Sequence, residues 1–130
     1  EPDLSEISLH EDCGLLAWSP LTRGLISGKY LNGAMPEGTR LAIDSRKEHR
    51  ANLQTDATIE AYMALAKEHN LDVCQMALAF VSQQPFVTSN LIGATSMEQL
   101  KSNIDSINLT LSQEVIDGIK TVRRRFPMSF

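Results

Sequence analysis

Residues 15–24 read LLAWSPLTRG, a short apolar run that breaks at its carboxyl end into Ser, Pro, Thr and Gly. Residues 91–96, LIGATS, repeat this change much later in the chain. Parallel α/β sheets place their ligand sites at the carboxyl ends of strands. Two such junctions in one chain predict a single ligand that contacts both.

The segments around these junctions predict an α/β protein. Residues 15–18 are a continuous apolar run between Gly14 and Pro20, which is typical of a buried strand, and residues 87–92 form the second predicted strand. A short helix is expected over residues 4–10. Residues 32–54 are expected to form a long loop, because Gly, Pro, Asn and scattered charge replace any periodic pattern there.

Four further helices are predicted from apolar residues at helical spacing. Capping pairs indicate where two of them start, Asp72 with Gln75 and Ser96 with Gln99. The last helix is expected to start at Ser112, where Leu111 can form a hydrophobic staple with Ile116. The predicted buried faces of the four helices, in chain order, are Ile59, Tyr62, Met63 and Ala66; Val73, Met76, Ala77, Phe80 and Val81; Leu100, Ile104 and Ile107; and Ile116, Ile119 and Val122.

The chain carries too few strands for its helices. Two parallel strands leave open edges on both sides and rarely hold together without more sheet. We therefore expect that part of the sheet is missing from this chain.

Two longer segments resemble a known enzyme family. Residues 18–30, WSPLTRGLISGKY, and residues 93–103, GATSMEQLKSN, closely resemble the two segments with which aldo-keto reductases cradle NADP. The resemblance covers almost the whole chain and corresponds to the C-terminal part of such an enzyme. The residues 75–81, QMALAFV, together with LIGAT, further resemble a Tas-like bacterial branch.

The resemblance implies a fold. The complete enzyme would be a (β/α)8 TIM barrel, and residues 1–130 would be its C-terminal portion, with the last two strands and their helices. Residues 72–84 would then be an extra helix before the final strand. The chain starts at Glu1, without Met, in a predicted helix, which we interpret as a cut end.

The resemblance also implies a site for the phosphates of NADP. A dinucleotide with a 2′-phosphate needs backbone amides, a helix N-terminus and fixed cations. Lys29 would be the cation at the pyrophosphate, and Arg40 would reach the 2′-phosphate. The cofactor-binding residues implied by the first segment and the loop after it are Ser19, Pro20, Leu21, Thr22, Arg23, Gly24, Lys29 and Arg40.

The second segment would hold the adenosine half of the cofactor. Gly93 would let the backbone approach the ligand, Thr95 would face the phosphate, and Gln99 and Asn103 would contact the adenosine portion from one helix face. Trp18 would stack on the nicotinamide ring. Taken singly, these residues have ordinary alternatives, since Gln99 also fits a capping box and Trp18 a core position.

One residue departs from the family pattern. Ser102 stands where the family often has an acidic residue that contacts the adenine amino group. This leaves the adenine contact open but not the phosphate contacts.

The catalytic residues of the family are not expected in this chain. Carbonyl reduction in the family uses a Tyr, a Lys, an Asp and a His from the N-terminal half of the barrel, and Tyr30 matches a position outside the chemistry. We therefore predict that the parent enzyme reduces aldehydes or ketones to alcohols, whereas this chain alone is inactive. The apolar sheet surface left uncovered predicts self-association.

Composition excludes several other classes. A net charge of −4 argues against general nucleic-acid binding. The three histidines and two cysteines lack metal-ligand spacing, apart from a weak His10–Cys13 interval, so no metal site is predicted. No apolar run is long enough for a membrane helix, and we expect a cytoplasmic protein with Cys13 and Cys74 as ordinary thiols.

Two alternatives stay open. Residues 64–84 could form a helix-turn-helix DNA-binding module, although residues 56–84 carry four acidic side chains against a single lysine and residues 73–84 carry no Lys or Arg. The chain could also belong to a non-catalytic NADP-binding regulatory subunit, as potassium-channel β subunits resemble aldo-keto reductases.

Overall fold

The computed structural model describes residues 4–43 and 54–127. Within these ranges it has an α/β fold with one two-stranded sheet, and it confirms both predicted strands and all five predicted helices. The elements are α1 (Leu4–His10), β1 (Leu15–Trp18), α2 (Arg40–Ile43), α3 (Thr55–Glu68), α4 (Val73–Ser82), β2 (Val87–Leu91), α5 (Met97–Asp105) and α6 (Gln113–Arg125), with 3-10 segments at Thr22–Ser27, Leu31–Gly33 and Ser106–Asn108.

The chain divides into two compact units. The first, here called the sheet unit, holds the chain up to Pro20 together with Gln75–Leu111. The second, here called the helical unit, holds Leu21–Cys74 and the chain from Ser112 onward.

The sheet unit is built on a parallel pair of strands. Leu16 pairs with Ser89 and Trp18 with Leu91, with an irregularity between Leu15 and Leu16. At the start of the pair, Ser8 Oγ on α1 donates to the carbonyl oxygen of Phe86 at 3.1 Å. Since the strands are parallel, their carboxyl ends lie at one edge of the sheet.

One face of this sheet is exposed. Leu16 is 58% exposed, Trp18 66% and Leu91 51%, whereas Leu15 and Ala17, which alternate with them along β1, are half-buried. The prediction that residues 15–18 are a buried strand was therefore wrong for one of its two faces. A strand is buried on both faces only where other layers cover both, and the described residues cover one.

Helix α5 shows the reverse of its predicted burial. Ile104 and Ile107, expected in the core, are 56% and 70% exposed, while the polar residues Asn103 and Ser106 are buried. Leu100 is half-buried. The apolar spacing predicted the helix correctly but not the side of it that faces the rest of the sheet unit.

The helical unit packs α3 against α6 and against the 3-10 segment at Thr22–Ser27. Leu25, Tyr30, Leu41 and Ile59 form its buried core cluster, with Leu31 packed against it. Helix α6 begins at Ser112, whose Oγ accepts the amide hydrogen of Val115 at 3.3 Å, so this predicted start is confirmed.

The predicted faces of α3 and α4 are confirmed in part. Ile59 and Ala66 on α3 are buried, whereas Met63 is exposed. On α4, Met76 is buried as predicted, but the other two buried residues are Leu78 and Ala79, which the periodicity did not select.

The predicted loop over residues 32–54 contains local structure in its described part. The 3-10 segment Leu31–Gly33 and helix α2 lie in it, and residues 44–53 are outside the described residues. In the described part of the chain, no helix combines the length and the apolar character needed to cross a bilayer.

Candidate cofactor-binding site

The two junctions between strand and loop start at the same edge of the sheet. Trp18 and Leu91 are register partners, so the loops that begin at Ser19 and Ile92 leave adjacent strands. Ser19 has a φ of 57°, a left-handed conformation that turns the chain sharply after β1. Gly93 has open space where a Cβ would stand. Of the candidate residues in the sheet unit, Trp18, Ser19, Pro20 and Gly93 therefore belong to this one edge.

The loop after β2 ends in the capped N-terminus of α5. Ser96 Oγ accepts the amide hydrogen of Gln99 at 3.2 Å, as the capping spacing predicts. Gln99 Oε1 in turn accepts hydrogen bonds from Thr95 N at 3.1 Å and Thr95 Oγ1 at 3.0 Å. The oxygen of Gln99 is thus used locally to hold Thr95, and its NH2 group remains the part that can donate to a ligand.

Gln99 and Asn103 differ in exposure although they lie one turn apart on α5. Gln99 is exposed, whereas Asn103 is 8% exposed. The carbonyl oxygen of Asn103 accepts a hydrogen bond from Ser106 Oγ at 2.6 Å. The predicted pair of amides on one helix face is therefore one accessible amide and one buried amide.

The N-terminus of α5 is only a moderate anion site. The amide hydrogens of Met97 and Glu98 have no hydrogen-bond partner among the described residues, so they are available to an anion. The Glu98 carboxylate in the first turn already complements the helix dipole.

In the helical unit the chain after Leu21 turns through a run of left-handed residues. Thr22, Arg23 and Gly24 have φ angles of 47°, 58° and 92°. Leu25 and Ile26 anchor the turn by burial. Thr22 and Arg23 are consecutive non-glycine residues in the left-handed backbone conformation, so the turn stores backbone strain. In folded proteins such strain concentrates at ligand sites.

Lys29 lies in a space that Gly24 leaves open. A Cβ on residue 24 would stand 3.1 Å from Lys29 Cε and 3.2 Å from Lys29 Nζ. Lys29 Nζ lies 5.1 Å from the ring centroid of Tyr30, within cation–π range. Ser27 Oγ donates to the Gly24 carbonyl oxygen at 2.8 Å, which fixes the turn beside the lysine. The ammonium is thus held close to the backbone of the turn.

Arg40 is connected to the same tyrosine. Tyr30 is 6% exposed, and its hydroxyl oxygen accepts the amide hydrogen of Leu41 at 3.4 Å. Leu41 belongs to the same core cluster and follows Arg40 at the start of α2. Lys29 therefore precedes Tyr30 in the sequence, and Arg40 precedes Leu41. Tyr30 and Leu41 contact each other through the hydrogen bond described above.

A family model described as "Aldo/keto reductase family" matches residues 1–124. This chain belongs to the aldo-keto reductase family. It is 48% identical to "Protein tas" of Escherichia coli K12 over 95% of this chain and 36% of that protein. It is also 36% identical to "L-glyceraldehyde 3-phosphate reductase" of Escherichia coli O157:H7 over 82% of this chain and 32% of that protein.

A third relative has a non-enzymatic name. The chain is 32% identical to a "Probable voltage-gated potassium channel subunit beta" of Oryza sativa subsp. japonica, over 88% of this chain and 36% of that protein. The chain thus spans 36% or less of the length of these three relatives. The predicted family and its Tas-like branch are confirmed.

Sequence reasoning missed two residues that shape this candidate site. Ser27 is the first. It lies three residues after Gly24, a spacing at which Ser side chains form hydrogen bonds with the local backbone, and this spacing could have indicated its contact. Tyr30 is the second. It was set aside because it lies outside the family's chemistry, yet it contacts both Lys29 and Leu41.

Lys29 also acts electrostatically inside the helical unit. Burial and then the Asp72 carboxylate raise the pKa of the Cys74 thiol, the Lys29 ammonium lowers it, and the resulting pKa is about 11. In the described part of the chain, no three His, Cys, Asp or Glu residues are grouped to hold a metal ion.

Proposed function

We propose that this chain is the NADP-binding C-terminal part of an aldo-keto reductase that reduces aldehydes or ketones to alcohols. The observation that carries the proposal is that Lys29 and Arg40 each stand next in sequence to one partner of the contact between Tyr30 and Leu41. Lys29 Nζ lies 5.1 Å from the tyrosine ring, and the Leu41 amide beside Arg40 donates to the tyrosine hydroxyl. Two cations so connected suit a ligand with two phosphate groups, because each can neutralise one group.

The choice of NADP over NAD rests on Arg40. Arg40 is exposed at the first position of α2, and its backbone is anchored through Leu41 in the core cluster. A guanidinium can bind the additional 2′-phosphate of NADP with two parallel hydrogen bonds. Lys29 would then serve the pyrophosphate, beside the turn from Leu21 to Gly24.

In the sheet unit the proposed ligand residues serve the two ends of the cofactor. Trp18 has a largely exposed indole at the carboxyl end of β1, where its face can stack on the nicotinamide ring. Gly93 allows backbone approach, and Thr95, Gln99 and Asn103 would serve the adenosine half. When bound, NADPH supplies the hydride for carbonyl reduction.

We also propose that the complete protein is a (β/α)8 TIM barrel, of which β1 and β2 are the last two strands. The parallel pairing of β1 and β2 and the exposed face of Leu16, Trp18 and Leu91 support this, since a barrel strand would be covered on that side by interior packing layers. The same exposed face leads us to propose that the chain by itself self-associates.

The chain alone is proposed to be inactive. Hydride transfer to a carbonyl needs a proton donor for the developing alkoxide, and the family's Tyr, Lys, Asp and His were assigned to the N-terminal half of the barrel. The test is the oxidation of NADPH, followed at its absorbance band, with a small aldehyde and the purified chain. A protein-dependent rate would contradict the proposal.

The binding proposal has a direct optical test, because Trp18 is the single tryptophan of the chain. Titration with NADPH should quench its fluorescence saturably, and NADH should do so with lower affinity. Lys29→Gln and Arg40→Gln should each weaken NADPH binding, but Arg40→Gln should leave NADH binding unchanged. Absence of saturable quenching, or equal affinity for both cofactors, would contradict the proposal.

A non-catalytic NADP-binding regulatory subunit is the second candidate. The match to a protein named as a potassium channel subunit beta supports it. The complete protein decides between the two, since a regulatory subunit would bind NADPH without turnover of any carbonyl substrate. The helix-turn-helix alternative has no such support, since α4 buries Met76, Leu78 and Ala79 and carries no basic residue.

A further inference from the structure

The polar contacts of α5 are unusual for a helix of its composition. Its large apolar residues Met97 and Ile104 are exposed, Leu100 is half-buried, and its one buried residue is Asn103. Apolar burial thus comes mainly from Leu100, and hydrogen bonds supply much of what fixes the rotation of α5.

One of these hydrogen bonds comes from α4. Gln75 Nε2 lies 3.1 Å from the carbonyl oxygen of Ser102 and 3.3 Å from Ser102 Oγ, and the two residues are 27 positions apart. Ser102 is in the last turn of α5, where the carbonyl groups have no donor inside the helix. Gln75 thus acts as a cap on α5 that is supplied by another helix.

The next carbonyl along α5 is capped as well. Asn103 O accepts from Ser106 Oγ at 2.6 Å, and Ser106 is buried. Two successive carbonyls, at Ser102 and Asn103, are therefore held by side chains from outside α5. These two caps fix the main chain on both sides of the Asn103 side chain, whose amide was assigned to the adenosine half of the cofactor.

We propose that Gln75 is a positioning residue for nucleotide binding, fixing α5 so that Asn103 and Gln99 meet the adenosine half; this rests on the proposed function. Gln75 itself does not touch the nucleotide. Its contact is with the main chain of Ser102, so it sets the rotation of α5 whatever side chain stands at that position.

The chain offers a matched control for Gln75. Gln83 is also a glutamine with two hydrogen bonds, in its case both to backbone groups: its Nε2 donates to Leu109 O at 2.7 Å, and its Oε1 accepts from Leu111 N at 3.4 Å. Those groups follow α5 and are not part of it. Gln83→Ala therefore removes comparable hydrogen bonds in the same unit without releasing α5.

The experiment compares wild type, Gln75→Ala and Gln83→Ala by competition of 2′,5′-ADP with the NADPH quenching of Trp18. Losing the Gln75 hydrogen bonds should raise the Kd of 2′,5′-ADP by about fivefold, while Gln83→Ala should leave it unchanged. Ser102→Ala keeps the main-chain oxygen and should also leave it unchanged. An unchanged Kd in Gln75→Ala, or equal losses in both glutamine variants, would overturn the proposal.

Hydrogen exchange provides a measurement that does not depend on the ligand. The amides of α5 should exchange faster in Gln75→Ala than in wild type and Gln83→Ala, and unchanged exchange would overturn the proposal. If wild type binds no 2′,5′-ADP, the proposed function fails, and hydrogen exchange then decides only whether Gln75 fixes α5. Should Gln75→Ala not fold, Gln75→Glu removes the donor but keeps the shape, with the same expectations.

Discussion

Gly24 and Lys29 approach each other so closely that a side chain at position 24 would meet the lysine, with a Cβ 3.1 Å from Lys29 Cε. Gly24 also has a φ of 92°, which L-residues other than glycine rarely adopt. The glycine therefore serves both the turn and the placement of the lysine.

Gly24→Ala should weaken NADPH binding more than its loss of stability alone would explain. The control is Gly33→Ala, because Gly33 has a similar φ of 75° but nothing within 4 Å of a Cβ. Both variants should lose about 1–2 kcal/mol of folding free energy through backbone strain, measured by urea unfolding. Only Gly24→Ala should raise the Kd of NADPH; equal Kd values in the two variants would refute the role given to Lys29.

Some of this site was predictable from sequence, and the limits have a physical reason. Capping at Ser96 was predicted correctly because a cap involves residues three apart. The contact from Gln75 to Ser102 spans 27 positions and leaves no local pattern. The burial of Leu16 and Ile104 was predicted wrongly because burial depends on which surfaces the rest of the protein covers, and apolar spacing does not reveal that.

Gly118 on α6 should not tolerate a larger residue. A Cβ at position 118 would lie 2.5 Å from Leu65 Cδ1 on α3 and 3.0 Å from Leu65 Cδ2. Alanine improves helix propensity by about 1 kcal/mol, whereas overpacking costs about 1–3 kcal/mol. We therefore expect Gly118→Ala to lower the free energy of unfolding by up to about 2 kcal/mol.

The double variant Gly118→Ala with Leu65→Ala isolates that contact. Removing the Leu65 side chain creates the space that the added methyl group needs, so the glycine substitution should become neutral or stabilising in the Leu65→Ala background. The same loss in both backgrounds would show that the destabilisation does not come from Leu65.

The exposed sheet face should drive association of the chain. Leu91→Lys places a charge among Leu16 and Trp18 and should shift sedimentation velocity profiles toward smaller species. Met35→Lys is the control, because Met35 is 55% exposed in the helical unit and outside the sheet. Equal shifts in both variants would mean that net charge rather than this face controls association.

The Cys74 thiol should react slowly with iodoacetamide at neutral pH. Its pKa is raised to about 11 by burial and by Asp72, so little thiolate is present at pH 8, and the reaction rate should rise with pH up to about 11. The folded state binds the thiol proton more tightly than the unfolded state, whose pKa is the ordinary 9.0. The protonated thiol therefore stabilises the fold below pH 9, and this contribution is lost between pH 9 and 11.

The measurement uses Cys13→Ser, which leaves Cys74 as the one thiol of the chain. In that background Lys29→Gln should raise the pKa further, since the Lys29 ammonium lowers it. A rate that levels off near pH 8 would contradict the burial of Cys74, and an unchanged pKa in Lys29→Gln would contradict its proximity to Lys29.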